Sequence, residues 1–162
     1  MNNEQSPVGL SNYSLEEYLQ NHVTPDKTIE SIVVTENVLI LPYKYNDTYY
    51  FAEESANFTK YCRQQNKDFS FNILGDNISV RSLNSWDIWM PVIFIAKDVF
   101  LPTAINLVSN YLWDKIKGRE KETPQVDVTF RAYHNNEVKE LHYKGDATTF
   151  KENFEKIDIN KW

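Results

Sequence analysis

Residues 88–95 read IWMPVIFI, eight consecutive apolar residues. A bilayer-spanning helix needs about 20 such residues, so this run is too short to cross a membrane. It suits a strand covered on both faces, or a strand whose outer face meets something else. Pro91 has no N–H to give to a ladder, which puts it at a bulge, a strand start or an edge. Lys97 and Asp98 break the run, and Pro102 fits the first turn of a helix, where a missing N–H costs nothing. Leu101, Ile105, Val108, Leu112 and Ile116 then recur at steps of four and three, one face of a 3.6-residue period, and Gly118 suits the stop. Burying that stripe is worth about 8–15 kcal/mol gross at roughly 1.5–3 kcal/mol per side chain. The expectation is an inner strand sealed by the helix that follows it.

The remaining segments read mostly as hairpins. Residues 1–12 are polar and look like an arm. Ser14 and Glu17 form a capping box for a helix to about Val23. IESIVV and VLILPY, around Thr35, Glu36 and Asn37, read as two strands, with Ile32 and Val34 inward in the first. Asp47 reads as the cap of a helix to about Gln65, with Phe51, Ser55, Phe58 and Cys62 inward. FSFNIL and ISVRSL read as a hairpin around Gly75, Asp76 and Asn77. After the charged linker GREKETP (118–124), Val126, Val128, Phe130 and Ala132 alternate with Asp127, Thr129, Arg131 and Tyr133. One face of that strand is therefore apolar and the other is expected to be wet. Asn135-Asn136 suits a type I′ turn, Leu141 and Tyr143 continue the apolar face, and a last helix turns Phe150, Phe154 and Ile157 inward. The fold class expected is α+β, a mainly antiparallel sheet of hairpins with helices packed on it, ending in a helix–hairpin–helix unit. The division expected is an arm (1–12), an N-terminal α+β portion (13–97) and a C-terminal portion (98–162), packed as one body.

Charge and chemistry narrow the function. A formal charge of −6 weighs against a general nucleic-acid binder, whose affinity comes from Lys and Arg on phosphates. A single cysteine, Cys62, cannot close an internal disulfide, and MNNEQSPVGL lacks the basic start and apolar core of a signal peptide. A cytoplasmic protein is expected. His22, His134 and His142 are too scattered for a zinc set and are read as solvent-facing. Cys62 falls on an inner helix stripe with no base beside it. Glu53 and Glu54 diverge on a helix, and Asp87 and Asp98 flank the apolar run too far apart to share a substrate. Lys115, Lys117, Arg119 and Lys121 interleave with acids and read as a solvated helix end. Neither a catalytic residue nor a cofactor or metal site is assigned.

Aromatic residues are in surplus: ten Tyr, nine Phe and four Trp. Trp86 and Trp89 stand three apart across a strand, so they cannot both face one side. Exposed Trp and Tyr are enriched at protein contacts. The surfaces expected to dock a protein partner, or a second copy, are the Trp86–Pro91 segment and the outer side of the 101–117 helix. Their candidate residues are Trp86, Trp89, Asn106, Asn110 and Trp113.

Residues 101–157 hold an LPxxxNLxxNYLxxKxKG helix, a charged linker, a hairpin of VDVTFRAY and VKELHYKG, and a short closing helix. This stretch resembles small accessory modules encoded beside effectors in prokaryotic conflict (antiviral, phage-defence) systems. The resemblance implies an adaptor or regulatory role with a larger protein partner. The expected function is thus a non-enzymatic interaction protein. The alternatives are a small enzyme with a site built from scattered residues and, least favoured, a nucleic-acid-associated protein.

Overall fold

Local chemistry decides each element, and in three places it overrides the sequence pattern. In a computed structural model of the protein, residues 10–11, 13–22, 28–75, 78–82, 88–122 and 124–154 are described. A two-residue strand, β1 (Leu10–Ser11), precedes helix α1 (Leu15–His22), whose Ser14 Oγ accepts from the Glu17 N–H at 3.4 Å. The segment expected as a first strand is instead helix α2 (Ile29–Thr35). Thr28 and Ser31 cap it reciprocally: the Ser31 N–H reaches Thr28 Oγ1 at 3.2 Å and the Thr28 N–H reaches Ser31 Oγ at 3.0 Å. Ile29 and Ile32, three apart, bury one side, while Val34 is 76% exposed rather than inward. The β-branched run argues for a strand, and the capping box outweighs it.

Strand β2 (Val38–Leu41) is buried along its whole length. The helix expected from Asp47 starts later. Asn46 and Asp47 both take positive φ (47° and 67°) and form the tight turn between β3 (Tyr43–Tyr45) and β4 (Thr48–Ala52). Phe51 is therefore a strand residue, and helix α3 (Ser55–Gln65) buries Ser55, Phe58, Thr59 and Cys62. The hairpin expected around Gly75 is also not formed. Strand β5 (Phe71–Ile73) pairs in parallel with β2, and β6 (Ser79–Arg81) pairs in parallel with β4, so the two strands join different sheets.

Strand β7 (Ile88–Ile95) is buried at every residue, and its pairing register shifts between Trp89 and Val92, a bulge that accommodates Pro91. Helix α4 (Leu101–Ile116) carries Pro102 in its first turn and buries the whole expected stripe. Gly118 takes φ 87° just past its end. Strands β8 (Gln125–His134) and β9 (Glu137–Asp146) are joined by Asn135 and Asn136 at φ 53° and 65°, as the pair of asparagines predicts. Asp146 Oδ1 accepts from the Thr148 N–H at 2.8 Å, leading into helix α5 (Phe150–Phe154). Ile157 lies outside the described residues.

A five-stranded sheet, in the order β5-β2-β7-β8-β9, forms the centre, beside a four-stranded sheet in the order β1-β3-β4-β6. Both are mixed, which corrects the expectation of a mainly antiparallel sheet: β7 runs antiparallel to β2 and parallel to β8. Strands from both sides of the 118–124 linker are thus hydrogen-bonded neighbours. One face of the central sheet packs Ile40, Ile93, Val128 and Phe130 under α3, α4 and α5. Its other face packs Leu39, Leu41, Trp89 and Phe94 against Tyr43 and Ala52 of the small sheet and against α1 and α2. Among the described residues, no helix is long and apolar enough to cross a membrane.

Candidate functional site

With one side of α4 committed to the core, its opposite side displays Asn106, Asn110 and Trp113, a stripe at steps of four and three. Trp113 is 54% exposed, the one tryptophan on the described surface. It borders a groove of about 190 Å³ between α4 and the start of α5, lined by Ser109, Asn110, Trp113, Ile116, Phe150 and Lys151. The Ser109 hydroxyl is buried there without a hydrogen-bond partner. A buried polar atom left unmatched costs about 1–3 kcal/mol. Together these residues make a groove with an indole at its rim and the Asn110 amide beside it.

Of the other candidates, Trp89 is 1% exposed, its ring tilted against Tyr43 with centroids 5.1 Å apart. It belongs to the core and not to a surface. Trp86 lies outside the described residues. Three of the five candidate residues, Asn106, Asn110 and Trp113, therefore share one exposed face.

The face of β8 expected to be wet is buried. Asp127, Thr129 and Arg131 are 4%, 6% and 6% exposed. Asp127 Oδ1 meets His142 Nε2 at 2.7 Å across the hairpin, and Arg131 Nε donates to Glu140 Oε1 at 2.8 Å. Tyr43 donates to the Met90 carbonyl at 3.0 Å and approaches Thr129 Oγ1 at 3.5 Å. Burial pushes the Tyr43 and Tyr13 hydroxyls far above the usual phenol range, so both stay neutral donors. The hydrogen bond to Asp127 holds His142 above the ordinary imidazole pKa, against the opposing effect of its partial burial. Asp127 Oδ2 is buried without a partner. His142 and His134 are consequently not free solvent-facing rings. The second pairs through Nδ1 with Asp98, in the turn after β7.

Burial pushes the Cys62 thiol up to about 12, so it is protonated and inert at neutral pH. Glu53 is exposed while Glu54 is buried, accepting from the Tyr111 hydroxyl at 2.5 Å with Lys115 Nζ 3.2 Å away, so the two do not face one substrate. Lys117 pairs with Asp114 and Arg119 with Glu122, which neutralises much of the basic cluster. Among the described residues no three metal-ligating side chains converge. From sequence, Asp127, Arg131 and His142 read as solvent-facing and are not paired with each other or with Glu140, yet the turn at Asn135-Asn136 sets the register that puts Arg131 opposite Glu140. An opposite-charge pair at that register is the signal. No protein-family model, curated protein or solved structure matches the chain.

Proposed function

We propose that the protein is a non-enzymatic interaction module that docks a protein partner through the outer side of α4 and the groove beside α5. The observation that carries this reading is Trp113, a half-exposed indole beside a groove with an unmatched buried hydroxyl. Large exposed aromatic side chains beside a pocket are the usual anchors of protein interfaces. The same residues fall within the 101–157 stretch that resembles accessory modules of prokaryotic defence systems, which supports a larger protein as the occupant. The segment that fits brings one apolar side chain into the groove and a backbone carbonyl to the Ser109 hydroxyl.

Sedimentation velocity tests this. The wild type and Trp113→Ser would be run alone over a range of concentrations, then with each protein encoded by the neighbouring genes. A complex formed by the wild type and weakened at least about tenfold by Trp113→Ser is the expected result, in line with the loss of an interface anchor. A wild type that stays monomeric in every mixture overturns the proposal. A dimer of the wild type alone, lost on the same substitution, makes a second copy the partner.

The enzyme reading has one observation in its favour, the Asp127–His142 pair, in which a carboxylate orients an imidazole and makes it more basic. No serine, threonine or cysteine is hydrogen-bonded to that imidazole among the described residues, so the pair lacks the nucleophile of a hydrolytic triad.

A further inference from the structure

A second cavity lies on the opposite side of the central sheet, where Tyr13 and Leu15 at the start of α1, Ile29 of α2 and the β8–β9 hairpin meet. It measures about 350 Å³, within the range of small-molecule sites, and is partly open to solvent. Its walls divide by chemistry. Leu15, Ile29 and Val138 supply an apolar side. Arg131 and Glu140 supply one cation and one anion, and the Arg131 guanidinium lies 4.6 Å from the Tyr13 ring centroid. Only Nε of Arg131 is spent on Glu140. Neither Nη group has an acceptor among the described residues, although the residue is 94% buried by its 6% exposure. The Nη groups, at the wall of this partly open cavity, therefore keep N–H bonds that can hold a planar anion.

A simple anion would gain from Arg131 and lose to Glu140, and a simple cation the reverse. The two side chains cancel, so the ligand they favour carries both charges close together and is itself neutral. We infer that this cavity binds a free α-amino acid with an apolar side chain. Its carboxylate lies on the two Nη groups of Arg131, its ammonium on the second oxygen of Glu140, and its side chain against Leu15, Ile29 and Val138. Burying the guanidinium on Tyr13 fixes the fork in advance, which reduces the ordering cost of binding. The site is independent of the docking reading, because Trp113 lies on the far side of the sheet.

Isothermal titration of the purified full-length protein tests the assignment, using leucine, phenylalanine, N-acetyl-leucine and leucinamide as probes. At least one free amino acid should bind, and the acetylated and amidated forms, each missing one charge, should bind at least about tenfold more weakly. Glu140→Gln should remove the preference for leucine over N-acetyl-leucine. Val138→Phe should fill the cavity and abolish binding while leaving the thermal unfolding cooperative. Trp113→Ser should bind as the wild type does. Absence of heat with both free amino acids overturns the inference, as does equal binding of the blocked forms. So does binding that survives Val138→Phe and Glu140→Gln unchanged.

Discussion

His142 gives the protein a pH-dependent tie across its last hairpin. Asp127, the groups of Glu140 and Lys144 on β9, and partial burial all act on the ring, and the net result is a raised pKa in the folded protein. A raised folded-state pKa contributes stability that is fully present below the unfolded value of about 6.5 and fades as pH climbs through the folded one. The stability gap between the wild type and His142→Gln should therefore be largest near pH 5.5 and shrink toward pH 8.5, read from urea unfolding at several pH values. A gap that widens with pH would mean the ring is held neutral. The pairing partners were within reach of the sequence, since the Asn135-Asn136 turn fixes which residues oppose each other. What hid them was the alternation itself: polar residues every second position signal a solvated face, and nothing local reveals that Tyr13, Tyr43 and α1 lie over it. Burial of that kind is set by segments more than eighty residues away.

At the scale of elements, α2 is the sharpest discriminator between pattern and fold. If Ile29–Thr35 were a strand, Ile32 and Val34 would share a buried face. In the helix they diverge, so Val34→Glu should change stability by no more than about 0.5 kcal/mol, whereas Ile32→Ala should cost about 2–5 kcal/mol. Chemical denaturation of both variants checks this, and a large loss at Val34 would contradict the helix. Thr28→Ala should cost about 1 kcal/mol through the lost cap. The long elements were legible: the 3.6-residue stripe of α4, the unbroken run of β7 and the alternation of β8 each have enough residues for the period to speak. Short ones were not. A seven-residue helix of Ile and Val looks like a strand, and Asp47 suits a helix cap as well as the positive-φ turn it occupies. For β5 and β6, a Gly-containing connection of hairpin length joins strands that part company, because each finds a parallel partner elsewhere.

For the whole molecule, β7 is the hinge of the topology, with β2 on one side, β8 on the other and a hydrophobic cluster above and below. Ile93 sits at its middle, opposite Ile40 and Phe130, and all three are fully enclosed. Ile93→Ala should sit at the upper end of the roughly 2–5 kcal/mol range for such truncations, and hydrogen exchange should find the β7 amides among the slowest in the wild type. The candidate docking face was partly legible for the same reason that α4 was: once one side of a regular helix is assigned to the core, the other side follows. The buried Trp89 was not, because an indole in a strand looks the same in sequence whether a second sheet covers it or not.

The parallel pairing of β7 with β8 also governs how the chain must mature. A ribosome delivers β2 and β7 well before β8, so for a time the most water-averse strand of the protein has one flank open, with nothing but nascent polypeptide to guard it. Its proline, which withholds one amide from any visiting strand, is then the sole brake against pairing with a neighbouring chain. Messages cut short before codon 125 should accordingly yield clumped product instead of a stable shorter protein.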